Sequence, residues 1–345
     1  MKLSSLAVAS VFSSVAVGQV QFAGVNIAGL DFGCDTLGNC NPASTAPPGQ
    51  AGIDQMQHFV KDRGLNAFRM PVSWQYVLNS KLGGALDPKF AAYNNLVHGC
   101  MSSGAAMCII DIHNYARWNG GIIGQGGPTN QDFASLWSQL ATIYKSYPQV
   151  VFGIMNEPHD LDIAAWKDSV QAAVTAIRAA GATSQRILLP SSNYSSAGNF
   201  VKNSASTLSQ VVNLDGSTTN LIFEVHQYLD ATYSGQQIEC AHNNVAEFTS
   251  LATWLRSNGR QAMLTETGGG GSADSCLEKL CEQFDAINAN SDVYLGWTAW
   301  SAGSFKSSYK LSLTPTLDGD TWTDVPLLTQ CVAGKFKPPA KPYVS

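Results

Sequence analysis

The sequence carries little charge, and its charge is not of the sign that binds nucleic acid. Only 13% of the 345 residues are charged, and 20 basic residues stand against 25 acidic ones, giving a formal net charge of −5. Nucleic acid is therefore excluded as a partner, because neutralising phosphates requires a basic surface. Disorder is excluded as well, since 45% of the residues are hydrophobic and the chain has material for a large core.

The chain also lacks a hydrophobic run long enough to span a membrane. The longest apolar and small-residue stretch covers residues 3–17, which is too short to cross a bilayer. Lys2 precedes it, and Ala16, Val17 and Gly18 form the small-x-small pattern of a cleavage site. This pattern predicts a signal peptide over residues 1–18, a secreted, extracellular protein and no membrane partner. The alternative is a buried N-terminal helix.

No two cysteines are spaced as C-x-x-C, and the six histidines are scattered, which argues against a structural zinc site. Eight cysteines in an exported chain favour disulfides instead. Cys34 and Cys40 flank a short loop, and Cys100 and Cys108 lie at the end of a helix and on the strand that follows, so each of these pairs is close in sequence. The two cysteines of the seventh predicted helix point to different faces, so each needs a partner elsewhere. We predict the pairs Cys34–Cys40, Cys100–Cys108, Cys240–Cys276 and Cys281–Cys331.

Eight short segments that are apolar throughout recur along the chain, which is typical of parallel strands with both faces covered. Six segments with apolar residues at helical spacing lie between them, and two weaker ones cover 197–211 and 324–332. The predicted strands are 21–29, 67–72, 105–113, 150–158, 186–192, 221–228, 261–268 and 293–300. The predicted helices are 52–64, 89–104, 130–147, 161–181, 245–259 and 275–290.

This alternation predicts an α/β fold, a single disulfide-stabilised (β/α)8 TIM barrel over residues 19–334, followed by a flexible tail over 335–345. A doubly wound sheet is the alternative fold. It is disfavoured because no G-x-G-x-x-G motif follows the first strand, where its phosphate-binding loop would lie.

Polar side chains cluster where these strands end, which is where barrel enzymes have their active sites. Such residues are costly in an apolar core unless they pair or take part in chemistry. The strand-end residues are Arg69, Asp111, His113, Asn114, Asn156, Glu157, His226, Tyr228, Glu266 and Trp300.

Glu157 and Glu266 end strands four and seven, which face each other across an eight-stranded ring. Taken alone, each of these residues is as readily explained as a structural salt-bridge partner as by a catalytic role. Together, above a polar cleft with an aromatic rim, they predict hydrolysis of a glycosidic bond. The narrow barrel predicts a separation of about 5 Å between the carboxyls, which is the spacing of retaining enzymes.

The neighbouring residues suggest roles around these carboxylates. Arg69 and Tyr228 are expected to hydrogen-bond Glu266, and Arg69 to lower its pKa. Asn156 is a candidate donor to a sugar 2-hydroxyl. His113 and His226 are candidates for binding hydroxyls or tuning Glu157, although each alone is more often structural.

Aromatic residues at the same face are candidate sugar platforms, because the C–H faces of sugars stack on flat rings. Trp300 is the candidate floor of the site. Loop residues that extend the set are Trp74, Tyr115, Trp118 and Tyr194. Asp111 with His113 hints at a metal site, but no third ligand follows at a suitable spacing, so no metal is predicted.

The sequence closely resembles the fungal endo-β-1,4-glucanases (cellulases) of glycoside hydrolase family 5. The likeness covers about residues 21–331 and is strongest at 24–29, 111–118, 153–159 and 264–268. It implies that Glu157 is the acid/base and Glu266 the nucleophile of a retaining mechanism with no cofactor. It also implies a β-1,4-glucan substrate, bound by residues that include Arg69, His113 and Asn156, with His226, Tyr228 and Trp300. We expect Asn114 and Tyr194 to bind substrate too, and the protein to be a monomer.

The sequence departs from this family in two respects. Tyr194 stands where relatives often have Trp, which affects binding on the leaving-group side. No cellulose-binding module is evident, so soluble or amorphous glucan is the expected substrate. A β-mannanase on the same barrel and a catalytically silent carbohydrate-binding barrel remain alternatives, and possession of both glutamates argues against the second.

Overall fold

A computed structural model describes residues 18–338 of the chain. Within this range eight parallel strands close into a barrel, and each strand pairs with its neighbours in sequence, the first with the last. The predicted barrel is confirmed. Its strands are β1 (Phe22–Ala28), β2 (Ala67–Val72), β3 (Met107–Ile112), β4 (Val150–Gly153), β5 (Ile187–Pro190), β6 (Leu221–His226), β7 (Ala262–Glu266) and β8 (Tyr294–Gly303).

A helix follows each of the first seven strands, and a single π-helical turn, Leu328–Val332, follows the eighth. The weakly predicted segment after β5 is a helix interrupted at Ser204 and followed by the short turn Ala205–Leu208. The helices are α1 (Gly49–Arg63), α2 (Phe90–Ser102), α3 (Asn130–Tyr144), α4 (Ile163–Ala179), α5 (Ala197–Asn203), α6 (Val245–Ser257) and α7 (Asp274–Ala289).

The sequence explains why these elements form where they do. All eight barrel strands are buried along their length, as expected for strands covered by helices outside and packed side chains inside. Thr129 and Asp132 form a reciprocal capping box at the start of α3. Gly64 ends α1 with φ of 69°, a conformation that costs glycine little.

All four predicted disulfides are present and use every cysteine of the chain. Cys240–Cys276 joins the loop after β6 to the start of α7. Cys281–Cys331 joins α7 to the final π-helical turn, closing a sequence separation of 50 residues. The first bridge therefore ties the loop after β6 to α7, and the second ties the C-terminal turn to the same helix.

The structure adds small elements that periodicity did not predict. A short helix, Trp74–Leu78, follows β2, and two-stranded hairpins lie at Arg117–Ile122 and Thr316–Thr323. These segments are too short for a periodic signal.

At the chain ends, the predicted signal peptide lies outside the described residues, apart from Gly18. Lys335 and Phe336, which we assigned to the tail, pack on the barrel. The Lys335 carbonyl accepts from Asn288, and Phe336 contacts Trp297. No helix within residues 18–338 is both long and apolar enough to cross a membrane.

Candidate active site

The polar strand ends meet in one cleft at the C-terminal mouth of the barrel. The cleft has a volume of about 1000 Å³ and contains Glu157, Glu266 and His226, with Tyr228 and Trp300 at its walls. The expectation that the strand ends assemble a single site is therefore correct for these residues. Arg69 and Asn156 lie directly beneath, fully buried.

Glu266, at the end of β7, is held by donors on both of its carboxylate oxygens. Arg69 Nη1 donates to Oε1 at 2.6 Å, and the Tyr228 hydroxyl donates to Oε2 at 3.0 Å. Burial acts to raise the pKa of Glu266, but the positive charges of His226 and Arg69 outweigh burial and lower it. Glu266 is therefore ionised and held rigidly, as an attacking carboxylate requires.

Glu157 lies four residues beyond Gly153, the end of β4, and its side chain is more exposed than that of Glu266. Its Oε1 lies 2.8 Å from His226 Nδ1, and its φ of 42° places it in the left-handed region. Burial, reinforced by the negative charge of Glu266, raises the pKa of Glu157 despite the opposing hydrogen bond from His226. The pKa values of the two carboxyls are thus shifted in the opposite directions that suit an acid and a nucleophile.

His226 connects Glu157 to a third buried carboxylate. Its Nε2 lies 2.9 Å from Thr265 Oγ1, and that hydroxyl donates to Glu224 Oε1 at 2.7 Å. Because the Thr265 proton is given to Glu224, His226 Nε2 is the donor to Thr265. Burial acts to lower the pKa of His226, but Glu266, Glu157 and Glu224 outweigh it and raise this pKa to about 10.

Sequence reasoning missed Glu224 and Thr265. The sequence did contain a signal for Glu224, which is a single glutamate within the apolar run of β6, because a buried carboxylate needs a charged partner. That partner is Arg69, whose Nε lies 3.4 Å from Glu224 Oε1. Glu224 Oε2 has no hydrogen-bond partner among the described residues.

The two catalytic candidates are close together. One carboxylate oxygen of Glu157 and one of Glu266 lie within 4.8 Å of each other. Oxygens this close are compatible with the separation expected from the barrel diameter, and with the spacing of about 5–5.5 Å in retaining glycosidases.

Arg69 organises the floor of the site. Besides Glu266, its guanidinium donates to Asn26 Oδ1 at 3.0 Å and to Asn156 Oδ1 at 2.8 Å, and lies 3.1 Å from Asp111. Burial acts to lower the pKa of Arg69, but the surrounding carboxylates raise it. A lysine cannot make this set of planar contacts.

His113, at the end of β3, lies beneath the aromatic floor. Its Nδ1 is 2.8 Å from Asp111, its Nε2 is 3.2 Å from Asn156 Nδ2, and its ring stacks on Trp300 at 5.5 Å between centroids. Burial acts to lower the pKa of His113, and the Asp111 carboxylate more than compensates and raises it. Asp111 therefore orients a histidine rather than belonging to a metal site.

Aromatic side chains line the cleft and a smaller pocket that adjoins it. Trp300 and Phe305 line both, and Phe32 and Asp31 line the smaller pocket. In the cleft the Tyr194 ring stacks on His159 at 4.3 Å and 7° and is 43% exposed. The Tyr194 ring is thus accessible and supported, and it lies near Glu157 because its amide donates to the Pro158 carbonyl.

Asn114, which we expected to bind substrate, does not line the cleft. Its side chain is fully buried, its Oδ1 accepts from the Trp74 amide at 2.7 Å, and its Nδ2 donates to Gln75 at 2.7 Å. Trp74 is also fully buried and packs edge-to-face on Trp118, and neither ring lines the cleft. Tyr115 does reach the cleft.

Glu157, His226 and Glu266 bring three potential metal-ligand atoms within 4.8 Å of one another. Every one of these side chains already has a protein partner, and the buried Arg69 cation lies 2.6 Å from Glu266. A divalent cation here would displace these bonds and lie beside a positive charge. This donor set does not fit a resident metal.

A barrel whose mouth holds two neighbouring carboxyls with pKa values shifted in opposite directions, in a cleft lined by aromatic rings, has the arrangement of a glycoside hydrolase. Residues 26–303 match the cellulase family, glycosyl hydrolase family 5, and the chain belongs to that family.

The chain is 58% identical to endoglucanase EG-II of Hypocrea jecorina over 92% of its own length and 78% of that relative. It is 44% identical to the manganese dependent endoglucanase Eg5A of Phanerodontia chrysosporium over 90% and 78%. The crystal structure of Cel5A (EG2) from Hypocrea jecorina superposes with a TM-score of 0.90 at 57% identity, covering 92% of this chain and 99% of that one.

Proposed function

We propose that this protein is a secreted, monomeric endo-β-1,4-glucanase that cleaves internal bonds of β-1,4-glucans with retention of anomeric configuration. The observation that carries the proposal is the pair Glu157–Glu266, with carboxylate oxygens within 4.8 Å and pKa values shifted in opposite directions. Membership of the cellulase family supports the choice of β-glucan as the substrate.

In the first step Glu266 attacks the anomeric carbon and Glu157 gives its proton to the glycosidic oxygen. The C–O bond to the leaving sugar breaks as the bond to Glu266 forms, so the leaving chain departs as an alcohol. Arg69 and Tyr228 orient the attacking carboxylate. Arg69 fixes the side chain of Asn156. In our proposal Asn156 donates to the sugar 2-hydroxyl, and this hydrogen bond strengthens in the transition state.

In the second step Glu157 is a carboxylate and accepts a proton from water, which attacks the anomeric carbon and releases Glu266. Esterification has by then removed the Glu266 charge that raised the pKa of Glu157, so this pKa falls and Glu157 is stable as the carboxylate that acts as the base in this step. His226 lies against Glu157 in both steps and orients its carboxyl.

Reducing-sugar release from carboxymethyl cellulose and from locust-bean mannan tests the substrate. We expect release from the cellulose derivative to exceed release from mannan, and Glu266→Gln to abolish both. Preference for mannan would replace this proposal with a β-mannanase, and no release from either, with tight binding of cellopentaose, would indicate a carbohydrate-binding barrel. Proton NMR of the first product tests the mechanism, since the β-anomer must appear first.

A further inference from the structure

A second exposed aromatic ring in the cleft is not used by this mechanism. Tyr233, in the loop after β6, lines the same cleft as Glu157 and Glu266, and 43% of its surface is exposed. Its ring stacks on His242 with centroids 4.3 Å apart and planes at 17°. Tyr194, the platform already described, has the same exposure and the same kind of histidine support.

The backbone at Tyr233 is in a conformation that aromatic residues avoid. Its φ is 56°, and Tyr194 has the same value. A bulky residue in the left-handed region carries a steric cost, and such residues are concentrated at ligand clamps. A solvent-facing ring gains little from burial to offset this cost, so folding stability alone does not account for a tyrosine at this position.

The loop that carries Tyr233 is fixed by a compact set of hydrogen bonds. Asp230 accepts from Thr232 at 3.0 Å, from Ser234 at 3.1 Å and from the Gly235 amide at 2.8 Å. The Tyr233 amide donates to the Asp230 carbonyl at 3.0 Å. The ring is therefore held in place before any ligand arrives, which lowers the entropic cost of stacking on it.

The same loop is packed against the group that holds the nucleophile. A Cβ at Gly235 would lie 2.8 Å from the Tyr228 ring, whose hydroxyl donates to Glu266. The support residue His242 is anchored through its amide to Leu229, and the Cys240–Cys276 bridge closes the loop nearby. The position of the Tyr233 ring relative to the reacting carboxylates is thus set by direct packing.

The loop that carries Tyr233 adjoins the loop that carries Tyr194, on the side of the cleft where the acid candidate Glu157 would meet the leaving chain. The loops after β5 and β6 are joined by bonds from Ser196 and from the Gly198 amide to Gln227. Tyr194, on the first of these loops, adjoins the acid candidate Glu157. Phe32, in contrast, lines a smaller pocket that adjoins the cleft at Trp300, and neither Tyr194 nor Tyr233 lines that pocket.

We infer that Tyr233, braced by His242, is a binding platform for a glucosyl residue of the leaving chain, additional to Tyr194, and that it sets which bond of an oligosaccharide is cleaved. The inference rests on the proposed function, because it takes β-1,4-glucan as the ligand. A glucopyranose presents axial C–H groups on both faces and stacks on an exposed ring by the same contacts that aromatic platforms make elsewhere.

The test is the bond-cleavage distribution of cellopentaose, read by mass spectrometry after hydrolysis in ¹⁸O-labelled water. Tyr233→Asn removes the ring while keeping a residue that tolerates positive φ. We expect this variant to release leaving groups that are shorter on average, with the ratio of long to short leaving groups at least about threefold below wild type. Tyr233→Phe keeps the ring and should retain the wild-type ratio.

Leu214→Ala removes another exposed hydrophobic side chain, 62% accessible and not part of the cleft lining, and should leave the distribution unchanged. An unchanged ratio in Tyr233→Asn would overturn the inference and assign the ring to loop support, whatever happens to thermal stability. A wild type that cleaves mannopentaose but not cellopentaose would overturn the proposed substrate instead. The same ratio measured on mannopentaose would then still decide the role of Tyr233.

Discussion

The Nδ1 atom of His226 lies 2.8 Å from Oε1 of Glu157, so one proton is shared between a histidine and the proposed acid. The opposite nitrogen reaches the buried carboxylate of Glu224 through the Thr265 hydroxyl. Protonation of Glu157 therefore depends on a charge beneath the site that makes no contact with the cleft.

We expect Glu224→Gln to move the pH–rate profile of kcat/KM toward acid. Glu224 stabilises the protonated form of His226, which shares a proton with Glu157. Removing its negative charge therefore lowers the pKa of the Glu157–His226 pair, and the shared proton is lost more easily. Activity that requires protonated Glu157 is then lost at a lower pH, and the basic limb should shift by about 1 pH unit. Initial rates on carboxymethyl cellulose across the pH range measure the shift.

Thr265 provides the control for this effect. Thr265→Ser keeps the hydroxyl and should retain the wild-type profile, whereas Thr265→Val removes the link and should shift it in the same direction as Glu224→Gln. A fall in melting temperature with an unmoved profile would mean that Glu224 only supports the fold.

The wild-type profile itself should be bell-shaped with an acidic optimum. Glu266 must be ionised, and its pKa is lowered, so activity is lost only when the pH falls well into the acid range. Glu157 must be protonated, and its pKa is raised, so activity persists above the usual titration range of a glutamic acid and is lost on further increase. Glu157→Gln should remove the basic limb from the residual activity, and persistence of that limb would exclude Glu157 as its source.

Sequence reasoning located the site through strand periodicity, and it failed where a side chain's direction decides its role. Glu157 and Glu266 follow from position, since the ends of parallel strands share one edge. Asn114 has the same positional signal, but it turns away to bond Trp74 and Gln75. Such pairings depend on loop geometry, which hydrophobic patterning does not encode. Glu224 was missed because it lies within a strand that is otherwise apolar, and only the polar residues at the strand ends were considered as site candidates.

Removal of divalent metal should leave activity unchanged. The only cluster of potential ligands found among the described residues is Glu157, His226 and Glu266, and its atoms are engaged by protein partners beside the Arg69 cation. We expect dialysis against EDTA to change kcat/KM on carboxymethyl cellulose by less than about twofold, and added manganese to give no stimulation. A loss of activity that manganese restores would show that a metal binds despite the positive charge of Arg69.

Azide rescue distinguishes the roles of the two glutamates. In Glu266→Gly, azide replaces the missing nucleophile and displaces the leaving group of an activated β-glycoside directly. This single displacement inverts the anomeric carbon, so the product should be the α-glycosyl azide. In Glu157→Ala, an aryl glycoside with a good leaving group still forms the Glu266 ester without acid assistance, and azide then displaces that ester to give the β-glycosyl azide. Both products are distinguished by the anomeric proton coupling. The reverse pairing of variant and product would retain both residues as catalytic but exchange their roles, and it would contradict the lowered pKa of Glu266 beside Arg69.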